Sequence, residues 1–306
     1  MREWIMYRAK KHGLQSGIGI LLLVVLLFAG QPQDRPNQYR QEPAQLAVHK
    51  ITESVYEVRG GSGANAGFII TDTEVLAVDA KMSTESARDM LAAIREITDK
   101  PVSCLLITHS DGDHVNGIPG FPRKIGIIAH GNSLKYMGEV LEPEAGTPMR
   151  KVQTFAKELV IHSGTPLVRL LHFGPAHTEG DAVVFIPEEK IAFLGDLIFI
   201  GRDPLIHKHK NGSSLGLVKV LKSVLELDAE IFLHGHGAPA GREDIQEFIT
   251  TLEDKQNTIR SLIGEGKSLE EVKAIFKVED SPASPGRTPR PSLIEIIYAE
   301  IKEDIQ

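Results

Sequence analysis

The sequence predicts a layered domain of mixed strands and helices, in the α/β or α+β class. Three observations carry this. Short apolar runs of strand length recur from Val55 to Leu233. Amphipathic helical stretches are interspersed with them, the clearest at Ser83–Thr98. The composition, 42% hydrophobic and 25% charged over 306 residues, is that of a globular chain long enough for one large core.

The first thirty residues read as a targeting segment. Arg2, Arg8, Lys10 and Lys11 precede an uncharged apolar run from Gly17 to Gly30. That run is short against the roughly 20 residues a membrane span needs and fits a signal-peptide core. Ala29 and Gly30 suit a cleavage site, whereas Leu27 and Phe28 suit it poorly. The expectation is therefore export to a periplasmic or extracellular space, or anchoring to a membrane through residues 17–30. Residues 31–46 are polar and proline-containing, as a linker would be. The main domain is expected over 47–280, with a Pro-rich loop and a C-terminal helix over 281–306. That helix is expected to cover the domain edge or to mediate dimerisation.

Within the domain, Val55–Arg59, Gly67–Ile70 and Glu74–Asp79 read as strands, with turns at Gly60-Gly61 and Thr71-Asp72. Ser83 can cap a helix in which Ala87, Met90, Leu91, Ile94 and Ile97 recur at helical spacing. Val102–Thr108 is continuously apolar, as a buried strand is. Ile125–Ala129, Leu167–His172, Ala182–Ile186, Ile191–Leu194 and Ile231–Leu233 are further strands. Helices are expected at Asn132–Leu141, Ser213–Leu227, Arg242–Gly264 and Ser268–Phe276, with a last one from Leu293.

The formal net charge is −7. Loss of residues 1–30 removes four basic residues and Glu3, leaving about −10. General nucleic-acid binding is therefore not expected, and a small-molecule substrate is. Cys104 is the single cysteine, which excludes an internal disulfide and a thiolate metal cage. Metal chemistry here would use histidine and carboxylate.

Four segments carry that signal. Leu105–His114 is an apolar strand running into His109, Asp111, Asp113 and His114 within six residues. His177 follows the strand-like Leu170-Leu171 through Gly174 and Pro175. Asp196 follows Phe193-Leu194-Gly195. His236 follows Ile231-Phe232-Leu233, flanked by Gly235 and Gly237. One polar strand end is more often a solvated turn. Four in succession are hard to explain by solubility or packing, because loops on a rigid scaffold are where functional groups are presented.

In the motifs T-H-S-D-G-D-H-V-N-G, G-P-A-H-T-E-G-D, F-L-G-D and H-G-H-G, and in their order, the chain resembles the metallo-β-lactamase-fold hydrolase superfamily. The likeness spans about residues 50–245 and implies a four-layer αββα sandwich with paired metals at one edge. Carried over by position, His109, Asp111 and His177 would bind a first metal, Asp113, His114 and His236 a second, and Asp196 both. Asp79 would be structural. Asp111 stands where the family's H-x-H-x-D-H motif has its second histidine. Two divalent ions with Asp113, Asp196 and a bridging hydroxide leave one positive charge, which Asp111 would cancel. A neutral cluster is a weaker Lewis acid and leans toward harder metals. The expected cofactors are two divalent metal ions, zinc first and iron or manganese second.

The function implied is metal-dependent hydrolysis of an ester, lactone, amide or phosphoester bond, with Asp113 orienting a bridging hydroxide and taking its proton. The alternative is an iron-dependent oxidoreductase of the same fold, acting on small sulfur or oxygen species. A non-enzymatic metal-binding role ranks last. In the loop 201–212, His207, Lys208, His209 and Asn211 are placed to bind an anionic group or to form a basic surface. Lys208 and Asn211 are taken as substrate contacts. His234 is left out because alternate strand residues face opposite ways. His130, His162 and His172 read as ordinary histidines.

Overall fold

In a computed structural model, residues 45–142, 149–278 and 290–305 are described. The expected targeting segment, nearly all of the linker and most of the Pro-rich loop lie outside them. Seven strands form a first sheet in sequence order: β1 (Ala47–Lys50), β2 (Val55–Arg59), β3 (Ala66–Ile70), β4 (Val75–Val78), β5 (Val102–Leu106), β6 (Gly126–His130) and β7 (Val152–Phe155). Pairing is antiparallel from β1 to β4 and parallel from β4 to β7. The second sheet holds β8 (Glu158–Ile161), β9 (Val168–Leu171), β10 (Val183–Ile186), β11 (Ile191–Phe193) and β12 (Ile231–Leu233), in the order β12-β11-β10-β9-β8. Only β11 and β12 run parallel there. The helices are α1 (Thr84–Ile97), α2 (Gly112–Val115), α3 (Gly138–Leu141), α4 (Ser214–Leu225), α5 (Arg242–Gly264), α6 (Leu269–Ile275) and α7 (Leu293–Ile305).

The strands read as unbroken apolar runs because both of their faces are covered. Successive side chains divide between two cores. From the first sheet, Val58, Phe68, Ala77, Leu105 and Ile127 pack with Ala87, Met90 and Ile94 of α1. Their neighbours Ile69, Leu76, Val78, Leu106 and Ile128 turn inward and meet Val168, Leu170, Val184, Ile186 and Phe193 of the second sheet. On the far side, Val183, Phe185, Ala192 and Phe232 pack with α4, α5 and α7. Three apolar layers thus separate four layers of structure, and the αββα expectation is met.

The N-cap at Ser83 is as expected, its side chain accepting from the Ser86 amide. Three strands were not legible. β1, β7 and β8 are edge strands with exposed or polar positions, so they lack the apolar signature of their neighbours. The expected helix over Asn132–Leu141 is corrected. It is a 3₁₀ turn (Ser133–Tyr136) followed by the short α3, broken at Met137. Asn132 Nδ2 donates to Glu179 O and Ser133 Oγ to Gly180 O, at 3.0 and 2.8 Å. These tertiary bonds win over the local helical preference.

The C-terminal helix belongs to the sandwich. Ile294, Ile297 and Ile301 of α7 enter the core beneath α4 and α5. Its buried Glu300 accepts from Ser214 N (3.2 Å), Ser214 Oγ (2.6 Å), Leu215 N (3.0 Å) and Lys208 Nζ (3.0 Å). It therefore caps α4 across the packing interface, where a carboxylate also meets the positive end of the helix dipole. Among the described residues no helix is long and apolar enough to cross a membrane. Glu300→Ala should destabilise the fold by roughly 2 kcal/mol, because buried donors lose their acceptor. Urea unfolding checks this, and an unchanged midpoint would refute it.

Candidate metal centre

At the end of β4 the chain turns through Asp79 in a left-handed conformation, φ 60°. Such a conformation is uncommon for a residue with a side chain and concentrates at functional sites. It places the Asp79 carboxylate against the end of β5. There it accepts from Thr108 N (2.9 Å), Thr108 Oγ1 (2.7 Å) and His114 Nδ1 (2.7 Å).

These bonds determine which ring nitrogens are left for a metal. His114 gives its Nδ1 proton to Asp79. Thr108 Oγ1 donates to Asp79 and so accepts from His109 Nδ1, at 3.1 Å. His177 Nδ1 donates to Leu205 O at 2.7 Å. In all three rings Nε2 remains for the cluster, the arrangement metal-binding histidines commonly adopt. The seven sequence-predicted ligands are brought together in two groups. One is His109, Asp111 and His177, and the other is Asp113, His114, Asp196 and His236, with donor atoms within 4.8 Å of one another in each. Asp196 Oδ2 joins them, 4.0 Å from His109 Nε2 and 3.2 Å from His236 Nε2. His236 Nε2 also lies 3.2 Å from Asp113 Oδ2.

This donor set fits divalent metal. His109 Nε2 is buried without a hydrogen-bond partner, although buried polar groups are normally satisfied, and His114 Nε2 and Asp196 Oδ1 face each other at 3.2 Å with no other partner. Imidazole and carboxylate are suitable ligands for zinc and its neighbours. Glycine makes the space. A Cβ on Gly235 would stand 2.2 Å from Asp196 Oδ1 and 2.8 Å from His114 Cε1. Gly195 turns at φ 54°, and a Cβ there would stand 2.6 Å from Thr108 Oγ1.

The electrostatics are those of a dense mixed cluster. Burial alone would raise the Asp111 pKa, but hydrogen bonds from His177 and His207 hold it far below the usual range. Burial likewise opposes ionisation of Asp196, and the His114 charge overrides it. Burial would lower the His177 pKa, yet its bond to Asp111 helps raise it to about 9. Hydrogen bonds to Asp113 and Asp196 bring His236 to about 9. Burial would depress His114 too, but Asp196 and Asp79 push it well above normal. His109 goes the other way, since burial and its histidine neighbours lower it.

Sequence reasoning missed Lys81 and Lys210 beside the cluster and named His207 only among candidate anion contacts. Lys81 is fully buried, donates to Ala64 O, and is lowered by burial to about 8 despite Asp113 and Asp79 nearby. His207 Nε2 donates to Asp111 Oδ2 at 2.6 Å, and Lys210 Nζ to Asp111 Oδ1 at 2.7 Å. By contrast, Lys208 and Asn211 bond Glu300 and Glu179 at 3.0 Å each, in a cleft beside α4 and α7. The structure does not bring these two expected substrate contacts to the cluster. Residues 207–211 were recognisable as a basic loop. Which of its side chains turn inward depends on a 3₁₀ turn at 208–210 and a left-handed Asn211. His234 lies in neither group.

The profile of the metallo-beta-lactamase superfamily matches residues 59–236. The chain is 26% identical over 199 residues to 2,4-dinitroanisole O-demethylase subunit alpha of a Nocardioides species, covering 64% of this chain and 56% of that protein. It is 22% identical over 283 residues to a linear primary-alkylsulfatase of a Pseudomonas species, covering 76% and 52%. A 94-residue stretch is 37% identical to an alkyl/aryl-sulfatase of Saccharomyces cerevisiae, covering 29% and 14%. The chain thus spans little more than half, or less, of these relatives' lengths. Among solved structures, the metallo-beta-lactamase from Pontibacter korlensis has a TM-score of 0.59 at 18% identity, covering 68% of this chain and 99% of that one. The metallo-beta-lactamase FIM-1 from Pseudomonas aeruginosa, in its mono-zinc form, has 0.58 at 18%, covering 70% and 97%. At these identities the likeness establishes the fold.

Gly235→Ala should lower metal affinity by about 10-fold or more, because the added methyl displaces Asp196 and His114 together. Competition with a chelating dye measures this. Wild-type affinity in that variant would contradict the proposed position of Asp196.

Proposed function

Because the chain belongs to the metallo-β-lactamase superfamily, we propose that it is a metal-dependent hydrolase with a two-metal site. His109, Asp111 and His177 would hold one divalent ion, Asp113, His114 and His236 would hold a second, and Asp196 would serve both. The observation that carries this reading is the pair of groups joined at Asp196, with His109 Nε2 buried and unpartnered and His114 Nε2 and Asp196 Oδ1 facing only each other. Zinc is the first metal expected, iron or manganese the second.

The chemistry supplied by a bound pair of divalent ions is activation of water near neutral pH and polarisation of the substrate's oxygen. Asp113 orients the attacking water and accepts its proton, being among the more accessible carboxylates of the cluster. His114 is locked by Asp79, so it holds its place as charge changes nearby. Phe199 stacks on His236, with ring centroids 5.5 Å apart, and shields that side from water. The Arg202 guanidinium lies over Phe199, 4.3 Å from its centroid. From there a cleft of about 390 Å³ runs along Ile200, Pro204, Phe248 and Leu252.

We assign that cleft to the non-reacting part of the substrate. Its apolar residues suit an apolar chain; Asp203, Asp244, Glu247 and Lys255 also line it, and Arg202, at the end beside Phe199, is the group there that suits an anion. Among the ester, lactone, amide and phosphoester bonds considered, an ester with an anionic head and an apolar tail fits best. Two relatives named as sulfatases add sulfate esters to that class. The alternative, an iron-dependent oxidoreductase, draws on the Asp111 carboxylate. Tightly bound iron with a visible absorption band, and no hydrolysis, would favour it.

Metal-loaded protein should contain two ions per chain by elemental mass spectrometry and hydrolyse esters of this class. Assayed at saturating metal, with metal content checked, Asp113→Asn should lower kcat at least about 100-fold. Full activity in that variant would remove Asp113 from its role. Arg202→Ala should raise KM for an anionic amphiphilic ester several-fold with kcat nearly kept, the signature of lost uniform binding. An unchanged KM would place the substrate elsewhere.

A further inference from the structure

The carboxylate at position 111 is not left to the metals alone. Lys210 Nζ donates to Asp111 Oδ1 at 2.7 Å, to Ser110 O at 3.0 Å and to Ser110 Oγ at 3.3 Å. His207 Nε2 donates to Asp111 Oδ2 at 2.6 Å. Neither contact is a surface encounter. Lys210 and Asp111 are 13% and 12% exposed, and His207 is buried.

The loop that carries them is fixed to the segment bearing His177. His207 N donates to His177 O (2.9 Å), Glu179 N to Lys210 O (2.9 Å), and Ser213 N to Ala176 O (2.8 Å). Gly212 lets the two backbones meet, since a Cβ there would stand 2.4 Å from His177 O. One rigid unit thus presents both a metal-facing histidine and the two partners of Asp111.

We propose that Lys210 and His207 are positioning residues that make Asp111 an acceptable substitute for a histidine in the first metal group. Held at Oδ1 by Lys210 and from one side of Oδ2 by His207, the carboxylate keeps the rest of Oδ2 toward His109 and His177, which lie 3.9 and 3.2 Å away. The Lys210 ammonium also returns the positive charge that a carboxylate removes. The group then carries the net charge that a neutral imidazole at position 111 would give. This rests on the two-metal reading. It goes beyond that reading by making metal choice a property of the pair Asp111–Lys210, rather than of Asp111 alone.

The test is a double-mutant cycle read by metal content, with zinc and manganese offered together. Lys210→Met leaves the carboxylate uncompensated, so selectivity for zinc over manganese should fall about 10-fold, within the range for removal of an outer partner. Asp111→His sets an imidazole beside an ammonium with no counter-charge and should lower zinc affinity about 10- to 100-fold. Asp111→His combined with Lys210→Met should recover zinc toward the wild-type level. Lys210→Arg should keep wild-type selectivity, whereas Lys210→Gln, which retains a donor without the charge, should behave like Lys210→Met. Thermal melts identify any variant that has lost its fold, and the Lys210→Gln result then stands in for it. Additive effects around the cycle, or unaltered selectivity in Lys210→Gln, would overturn the proposal while leaving two metals in the wild type. A wild-type protein that binds no metal would overturn the two-metal reading as well.

Discussion

Carboxylates and imidazoles taken out of water at the rim of an apolar sandwich are costly unless each finds a partner. The compensation starts at Asp79. One side chain receives the Thr108 amide, the Thr108 hydroxyl and the His114 ring. It thereby ties the end of β4 to the end of β5 and, through Thr108, orients His109 as well. The strand order of the first sheet serves this bond, since β4 and β5 are parallel neighbours whose ends fall side by side. The second sheet then needs only to bring Asp196 and His236 to the same rim, which the adjacent parallel strands β11 and β12 do.

Counted from sequence alone, Asp111 is an uncompensated carboxylate. The 2.7 Å contact from Lys210 changes that count, because an ammonium so close and so little exposed offsets most of the added charge. The case for a harder metal is correspondingly weaker than the sequence alone suggested. Asp111 and Lys210 are 99 residues apart in the chain, so only the fold relates them.

Much of the fold was legible for a physical reason. Strands covered on both faces are apolar at most positions, the buried Glu57 of β2 being an exception that pairs with Arg59, and the motif residues follow where those runs stop. Glycines at 195 and 235 marked the tight approaches. The edge strands β1, β7 and β8 were not legible, because half-exposed strands carry no such constraint. The break at Met137 was hidden because Asn132 and Ser133 are held by Glu179 and Gly180, far along the chain. The sequence offers Lys208 and Asn211 as substrate contacts, whereas it is their neighbours His207 and Lys210 that face the cluster. A loop of consecutive polar residues offers no periodicity from which to choose.

The raised pKa values of His177 and His236, both about 9, and of His114 have a consequence for how the site is filled. Near neutral pH the metal-free cluster holds protons where cations would sit, and these protons balance its carboxylates. Loading is then an exchange in which each incoming ion must displace protons. Its equilibrium shifts toward metal as pH rises and toward protons as it falls. A protein of this design would be hardest to load in an acidic surrounding. Once loaded, it would give up its metals as acid restores those protons.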